Sequence, residues 1–260
     1  MNLAIRAPRR LKQLIKRWFA YAGYQVFPTG TCYAQDGLIT IHNDRFRRTA
    51  AFRDAYLRGV TAGNGVDPGF DWRLHVALWA AELGSRVAGD FVECGVNAGF
   101  ISSAIMQRLQ WNRLNRRYYL VDTFSGPPVF QFSDTEVQLG RRRIAEDAIA
   151  AGAYVTDLSR VRENFAEWPS AVVVQGLIPD VLSTLPVEQV AFLHIDMNCA
   201  YPEQAALEHF WGRLSSGAVV LLDDYAYHGY DQQTDAMDTV AERVGANILS
   251  LPTGQGLIIR

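Results

Sequence analysis

Three aspartates stand where two buried strands of the chain are predicted to end. Asp196 closes one apolar run, and the pair Asp223 and Asp224 closes the next. Because the carboxyl ends of parallel strands meet at one edge of a sheet, the three carboxylates should converge there. Acids so close repel one another unless a hard cation neutralises them, and Mg²⁺ prefers such oxygen ligands. The pattern predicts a magnesium site at Asp196, Asp223 and Asp224; the alternative, for Asp223 or Asp224 alone, is a helix N-cap.

A glycine-containing turn supplies the second set of candidates. Residues 93–99, with the sequence ECGVNAG, run from an apolar strand into a helical stretch, so Gly95, Asn97 and Gly99 lie where a backbone turns tightly against a ligand. Asp122 ends the next apolar run, where an acid binds ribose hydroxyls in such folds. After a third run, Gly176 allows a flat ring to approach the backbone. Together these residues predict a ligand that contains adenosine.

The charge of this turn separates two classes of adenosine ligand. A dinucleotide pyrophosphate is bound by a three-glycine GxGxxG turn, whereas this turn lacks the middle glycine and carries Glu93 at the strand end. A carboxylate there repels pyrophosphate and attracts the cationic amine and sulfonium of S-adenosylmethionine. We therefore expect S-adenosylmethionine as cofactor. The alternative is a Rossmann-like fold that binds something else, with Glu93 accepting only backbone N–H groups.

A cofactor with a transferable methyl group, beside a cation, indicates methylation of an alcohol. A bound cation lowers the pKa of a hydroxyl group and fixes its orientation, and vicinal hydroxyls of a sugar or a catechol could chelate it. His228 lies in the loop that leaves the acid pair and is a candidate general base, an ordinary loop histidine being the alternative. His194 stands inside an apolar run and is interpreted as a packed, hydrogen-bonded side chain.

The elements that must position these residues follow a regular pattern after about residue 70. Helical stretches alternate with short runs rich in Val, Ile, Leu and Tyr, which predicts a parallel sheet with crossover helices. The predicted strands are 90–94, 118–122, 171–175, 190–195 and 218–222; the predicted helices include 72–87 and 235–244, and a hairpin joins 247–251 to 256–259. The fold class is therefore α/β, with a seven-stranded, mostly parallel sheet whose last strand inserts antiparallel. We assign residues 71–260 to this domain.

Residues 1–70 are interpreted as an N-terminal helical and lid or substrate-side segment. Leu11, Leu14, Ile15 and Trp18 recur at helical spacing while cations take the other faces, which predicts a basic amphipathic helix. Its apolar stripe either docks on the body or on a second subunit, the interpretation the sequence favours, or makes peripheral contact with an anionic membrane. The docking interpretation makes a homo-oligomer the expected state. Residues 20–70 otherwise predict loops and short elements.

Composition excludes several classes of protein. The chain has 260 residues, 49% of them apolar and 20% charged, without an apolar run long enough to span a bilayer or a readable export signal, so a cytoplasmic location is expected. Six cations fall before residue 18 against a net charge of −2 overall, which leaves the rest acidic and argues against binding nucleic acid. Cys32, Cys94 and Cys199 form no disulfide or metal pattern and are expected to be reduced.

Four segments, taken in order, resemble the macrocin O-methyltransferase family. They are GDFVECGV at 89–96, DTFSG at 122–126, HID at 194–196 and LLDDY at 221–225. The resemblance implies a class I methyltransferase (Rossmann-like) fold that uses S-adenosylmethionine and Mg²⁺ to methylate sugar hydroxyls on natural products. It assigns residues 93–99 and Asp122 to the cofactor, adds Ser125 and Asp196 to that site, and assigns the metal to the three aspartates above.

One position departs from the family. Where the family usually carries a second Asp, two residues after the first and proposed as the base, this chain has Asn198, and an amide cannot accept that proton. Asn198 is therefore the catalytic position in question, and His228 or metal-bound hydroxide could replace it. We expect an O-methyltransferase acting on a hydroxyl of a sugar, glycolipid or glycosylated metabolite. The alternatives are a metal-independent methyltransferase and a catalytically silent module that binds the cofactor.

Overall fold

The computed structural model of the protein describes residues 8–26 and 33–260, so Cys32 lies outside the described residues. The chain divides into two compact units, residues 1–43 and 44–260. In the first unit, helix α1 spans Arg9–Tyr21, and strands β1 (Tyr33–Gln35) and β2 (Leu38–Thr40) form an antiparallel hairpin. Asp36 and Gly37 make its two-residue turn, both with positive φ, which suits the twist of a tight hairpin.

The second unit is built on a seven-stranded sheet. Its strands are β3 (Asp90–Cys94), β4 (Tyr118–Asp122), β5 (Ala171–Gln175), β6 (Val190–Ile195), β7 (Leu214–Leu222), β8 (Leu249–Ser250) and β9 (Gly256–Ile259). The spatial order is β5-β4-β3-β6-β7-β9-β8. The strands from β3 to β7 pair in parallel, and β9 inserts antiparallel between β7 and β8. The predicted fold class and its antiparallel last strand are confirmed.

Helices cover both faces of this sheet. They are α2 (Ala50–Ala62), α3 (Asp71–Gly84), α4 (Phe100–Arg108), α5 (Asp134–Gln138), α6 (Arg141–Ala150), α7 (Leu158–Phe165), α8 (Ala200–Trp211) and α9 (Asp231–Val244). One core contains side chains of α2, α3, α4 and α7, and the other contains side chains of α8 and α9. Along β3, Phe91 joins the first core while Val92 and Cys94 join the second. Because alternate residues of a strand point to opposite faces, a strand buried on both faces must be apolar throughout, apart from functional positions.

The structure differs from the sequence expectations in the segment before residue 70. The weak periodicity of residues 20–70 predicts loops and short elements, but α2 is a helix of 13 residues. Its buried positions, Phe52, Ala55, Gly59 and Ala62, are mostly small, so they give little hydrophobic periodicity. A Cβ at Gly59 would lie 2.9 Å from the carbonyl oxygen of Phe100, so the glycine allows α2 to pack closely against α4. Residues 44–70 consequently belong to the second unit, and the boundary lies between 43 and 44.

Among the described residues, no helix combines the length and the apolar character that crossing a bilayer requires.

Candidate active site

The turn after β3 brings two strand ends into contact. Gly95 has φ +89°, and a Cβ built on it would lie 1.7 Å from the carbonyl oxygen of Asp196, at the end of β6. Gly99 has φ +86° and caps α4, and a Cβ there would lie 2.4 Å from the ring of Phe165. Both positions therefore require glycine. The predicted tight turn is present, and its glycines serve contacts within the protein.

The next two predicted ligands, Asn97 and Asp122, hold this turn in place. Oδ2 of Asp122 accepts hydrogen bonds from the backbone N–H groups of Val96 and Asn97, at 2.7 and 2.8 Å. The side-chain amide of Asn97 donates to the carbonyl of Ala153, and its oxygen accepts from the N–H of Val155. These bonds fix the turn after β3 against β4 and the segment after α6. Binding of ribose by Asp122 and of cofactor by Asn97 stays a prediction.

An apolar cavity of about 630 Å³ lies beside the end of β4. It is lined by Thr123, Ser125, Gly126, Pro127, Pro128, Val129, Phe130, Glu146, Ile149, Ala150, Gly176 and Leu177. The structure thus brings Ser125 and Gly176 together, although they stand far apart in the sequence. A cavity of this size and lining suits a flat, largely apolar ring.

A buried row of charged side chains connects the turn after β3 to the pair Asp223 and Asp224. Glu93 and His194 occupy paired positions on β3 and β6, and both are buried. Nδ1 of His194 lies 2.8 Å from Oε1 of Glu93, and its Nε2 lies 3.5 Å from Oδ1 of Asp223. Burial alone would lower the pKa of His194, but the carboxylates of Asp223 and Glu93 outweigh it and raise that pKa to about 10. His194 is therefore a packed, hydrogen-bonded cation that links two strand ends.

Arg73 of α3 supplies the second buried cation. Its Nη1 hydrogen bonds Oδ2 of Asp223 and lies 3.7 Å from Oδ1 of Asp224. The guanidinium group also packs over the rings of Phe70 and Tyr227. Burial opposes ionisation of Asp223, but Arg73 and His194 hold the pKa of its carboxyl below the usual range. Asp223 is thus held in its charged form.

Asp196 has the opposite electrostatic environment. Asp196 is half-buried, and burial together with the charges of Asp223 and Asp224 raises the pKa of its carboxyl well above the usual value. A ligand atom from each of His194, Asp196 and Asp223 lies within 4.8 Å of the others. Asp224 is not part of this group, but its charge acts on Asp196 and its Oδ1 lies 3.7 Å from Nη1 of Arg73. Arg73 and His194 are cations that contact Asp223, and Glu93 pairs with His194. Binding of a metal ion by the three aspartates stays a prediction.

Asn198 connects the cluster to a tyrosine and an arginine. Its amide nitrogen donates to Oδ1 of Asp196 at 3.3 Å, and its amide oxygen accepts from the hydroxyl of Tyr230 at 2.8 Å. The guanidinium group of Arg141 stacks on the ring of Tyr230, 3.5 Å from its centroid. Burial, followed by the charge of Asp224, raises the pKa of Tyr230, so the phenol stays protonated and donates. Asn198 thus orients Asp196.

His228, the predicted base, lies in the exposed turn after Asp224. Its role stays a prediction. Gln255, which the sequence analysis missed, is fully buried and donates to Oδ1 of Asp223 at 2.8 Å. It comes from the loop between β8 and β9, where an ordinary loop amide gives no signal. Arg73 was also missed, although a lone cation beside the apolar face of a predicted helix could have indicated it.

Comparison with known proteins identifies relatives. The family model "Macrocin-O-methyltransferase (TylF)" matches residues 75–245. The 8-demethyl-8-(2,3-dimethoxy-alpha-L-rhamnosyl)-tetracenomycin-C 4'-O-methyltransferase of Streptomyces olivaceus is 27% identical over 180 residues, which cover 64% of this chain and 67% of the relative. The mycinamicin III 3''-O-methyltransferase of Micromonospora griseorubida is 26% identical over 178 residues, which cover 62% of this chain and 67% of the relative.

Solved structures share the fold. The O-methyltransferase NovP superposes with a TM-score of 0.61 at 22% identity, over 72% of this chain and 79% of its own. The calicheamicin methyltransferase CalS11 gives a TM-score of 0.55 at 20% identity, over 72% and 78%. The Rossmann-like arrangement of the sheet is therefore shared with methyltransferases, independently of the sequence segments above.

Proposed function

This chain belongs to the macrocin O-methyltransferase family and is an S-adenosylmethionine-dependent O-methyltransferase, and we propose that its acceptor is a hydroxyl group of a sugar, either on a glycosylated metabolite or on a glycolipid. The names of two relatives support this proposal: one specifies 4'-O-methylation of a rhamnosyl-tetracenomycin, and the other 3''-O-methylation of mycinamicin III. Their identities of 27% and 26% support the class of acceptor and not the individual compound.

One observation supports binding of the cofactor at the turn after β3. Oε2 of Glu93 is buried, and no hydrogen-bond donor reaches it among the described residues. A buried carboxylate oxygen without a partner is costly, and a cationic amine would satisfy it. We assign the amino-acid end of S-adenosylmethionine to Glu93 and the Gly95 turn, and its adenine to the cavity that contains Ser125 and Gly176.

The charge of the aspartate cluster carries the proposal that the enzyme depends on Mg²⁺. Burial and the charges of Asp223 and Asp224 raise the pKa of Asp196, and a divalent cation bound between these acids would relieve their repulsion. Asp196, Asp223 and Asp224 would hold it. A bound divalent cation would lower the pKa of a coordinated hydroxyl group of the acceptor.

The other side chains of the site orient the aspartates. Asn198 and Tyr230 orient Asp196, and Arg73, His194 and Gln255 hold Asp223. Bound S-adenosylmethionine would supply the methyl group and leave as S-adenosylhomocysteine, and the acceptor hydroxyl would give up its proton to a group of the protein. Because the amide of Asn198 cannot take that proton, we propose that it passes to His228, an imidazole in the loop that leaves the acid pair.

One observation favours a second candidate, a metal-independent methyltransferase. Arg73 already contacts both Asp223 and Asp224, so a guanidinium group occupies part of the space where a metal ion would bind. In that case the remaining acids would bind a cationic group of the substrate. Chelation separates the two candidates: EDTA should abolish turnover of the Mg²⁺-dependent enzyme and leave the other active.

The deciding experiment measures methyl transfer to a panel of glycosides, with Mg²⁺ and with EDTA, for the wild type and two variants. Asp224→Asn should stop turnover while S-adenosylmethionine binds as before, because only the metal site changes. Glu93→Gln should weaken S-adenosylmethionine binding by about tenfold, the effect of losing one charge-assisted contact. Full activity of Asp224→Asn would remove that residue from the site, and unchanged affinity of Glu93→Gln would remove Glu93.

We also propose that the enzyme works in the cytoplasm. The described cysteines, Cys94 and Cys199, are free and buried, which suits a reducing compartment.

A further inference from the structure

Helix α1 carries an apolar stripe whose side chains are all exposed. Leu11, Leu14, Ile15 and Trp18 follow the spacing i, i+3, i+4, i+7 along Arg9–Tyr21, and no residue of this helix is buried. The exposed fractions are 47% for Leu11, 62% for Leu14, 41% for Ile15 and 66% for Trp18. Single exposed apolar residues are common on protein surfaces, but four large ones in one row form a contiguous apolar patch. Such a patch marks a binding surface.

The flanks and the back of the same helix are basic. Arg9, Arg10, Lys12, Lys16 and Arg17 lie on α1, its first turn contains no acid, and the first acid of the whole chain is Asp36. On a helix of 3.6 residues per turn, Arg10, Lys12 and Arg17 border the apolar stripe while Arg9 and Lys16 lie opposite. Long cationic side chains at such borders extend their charged ends to the level of the lipid phosphates. The charge therefore selects a negatively charged partner.

We propose that α1 binds the surface of an anionic lipid membrane, lying in the plane of the interface with its apolar stripe among the upper acyl chains. A strongly amphipathic helix with cations on its polar face and Trp and Leu on the other has this mode of binding. Trp18 suits the headgroup level, where an indole ring has an apolar body and a polar edge. The inference stands apart from the acceptor proposed above.

A second copy of the chain is the less suitable occupant. Two α1 helices paired through their stripes would bring the bordering cations of both together without an acid on either helix, and like charges at that distance repel. The expected homo-oligomer rests on this same stripe, so one experiment can separate the two occupants.

The test is sedimentation of the full chain with vesicles of phosphatidylcholine alone and of phosphatidylcholine with about one quarter phosphatidylglycerol. We expect binding to the anionic vesicles at least about tenfold tighter, and weakened by salt, since surface charge is screened within about 10 Å at 0.1 M. Lys12→Gln should weaken binding by about fivefold, the usual contribution of one basic residue near such a surface. Trp18→Ala should weaken it by about tenfold or more.

Arg143→Gln is the matched control, because Arg143 is an exposed cation on a helix of the second unit. It should change vesicle binding by less than about twofold. Equal binding to both kinds of vesicle, or equal losses for Lys12→Gln and Arg143→Gln, would overturn the proposal. The stripe would instead be assigned to a second copy of the chain by two results together. The wild type would be a dimer that does not bind vesicles, and Trp18→Ala would convert that dimer to a monomer. Binding of S-adenosylmethionine, measured in parallel, should be the same for all these variants, which separates this inference from the proposed activity.

Discussion

Replacing Arg73 by methionine should destabilise the protein more than any loss of a surface ion pair. The guanidinium group is 7% exposed and its partner Asp223 is 3% exposed, so the substitution leaves a buried carboxylate beside Asp224 without its main cation. Removing one partner of a buried pair costs about 3–5 kcal/mol. For a domain of this size each kcal/mol lowers Tm by about 2–4 °C, so we expect a loss of about 6–20 °C. Methionine keeps the aliphatic packing, which isolates the charge.

The assay is thermal unfolding with EDTA present, followed by calorimetry. Arg243→Met is the matched control, because Arg243 pairs with Glu208 at 2.6 Å but both side chains are exposed, at 57% and 36%. It should cost at most about 1 kcal/mol. The double variant Arg73→Met/Asp223→Asn should recover part of the stability, since it removes the stranded charge. Mg²⁺ should also narrow the deficit of Arg73→Met if a divalent cation can replace the guanidinium group.

Equal Tm losses for Arg73→Met and Arg243→Met would refute this reasoning. So would a double variant no more stable than the single one, because the cost would then come from lost packing.

Three further outcomes follow from the same structure. Gly95→Ala should abolish cofactor binding or folding, because its Cβ would lie 1.7 Å from a backbone oxygen. Gly140 also has a positive φ, but a Cβ there has nothing within 4 Å, so Gly140→Ala should lower the free energy of unfolding in denaturant by only about 1–2 kcal/mol. Burial raises the pKa of the Cys94 and Cys199 thiols, so neither should react with iodoacetamide at pH 8 until the protein unfolds; modification of the native protein, read by mass spectrometry, would contradict their burial. Tyr230→Phe should lower kcat by about two- to tenfold, the range for one lost hydrogen bond, at unchanged cofactor affinity; equal kcat would remove this tyrosine from the site.

The sheet and the convergence of the aspartates could be predicted because each depends on local patterns. Apolar runs bounded by turns gave the strands, and parallel strands necessarily bring Asp196, Asp223 and Asp224 to one edge. Strand and helix ends were less well predicted: β7 begins at Leu214 and α9 at Asp231, each earlier than expected. Sequence periodicity fades where an element leaves the core, so its ends carry little signal.

The partners of those aspartates could not be predicted, because they depend on contacts between distant segments. Arg73 reaches Asp223 across 150 positions of the chain, and Gln255 reaches it from the terminal hairpin. No local pattern specifies which helix faces which strand end. The role of Asn198 is similar: the residue type excludes a base, but only the hydroxyl of Tyr230 shows how its amide is oriented.

Isothermal titration of the full chain with S-adenosylmethionine and then with S-adenosylhomocysteine, with and without Mg²⁺, tests the central claim most directly. We predict a Kd in the micromolar range for both compounds, about −8 kcal/mol, because the Glu93 turn and the cavity beside β4 bind parts that the two compounds share. Binding of neither compound would contradict the assignment of this site to the cofactor.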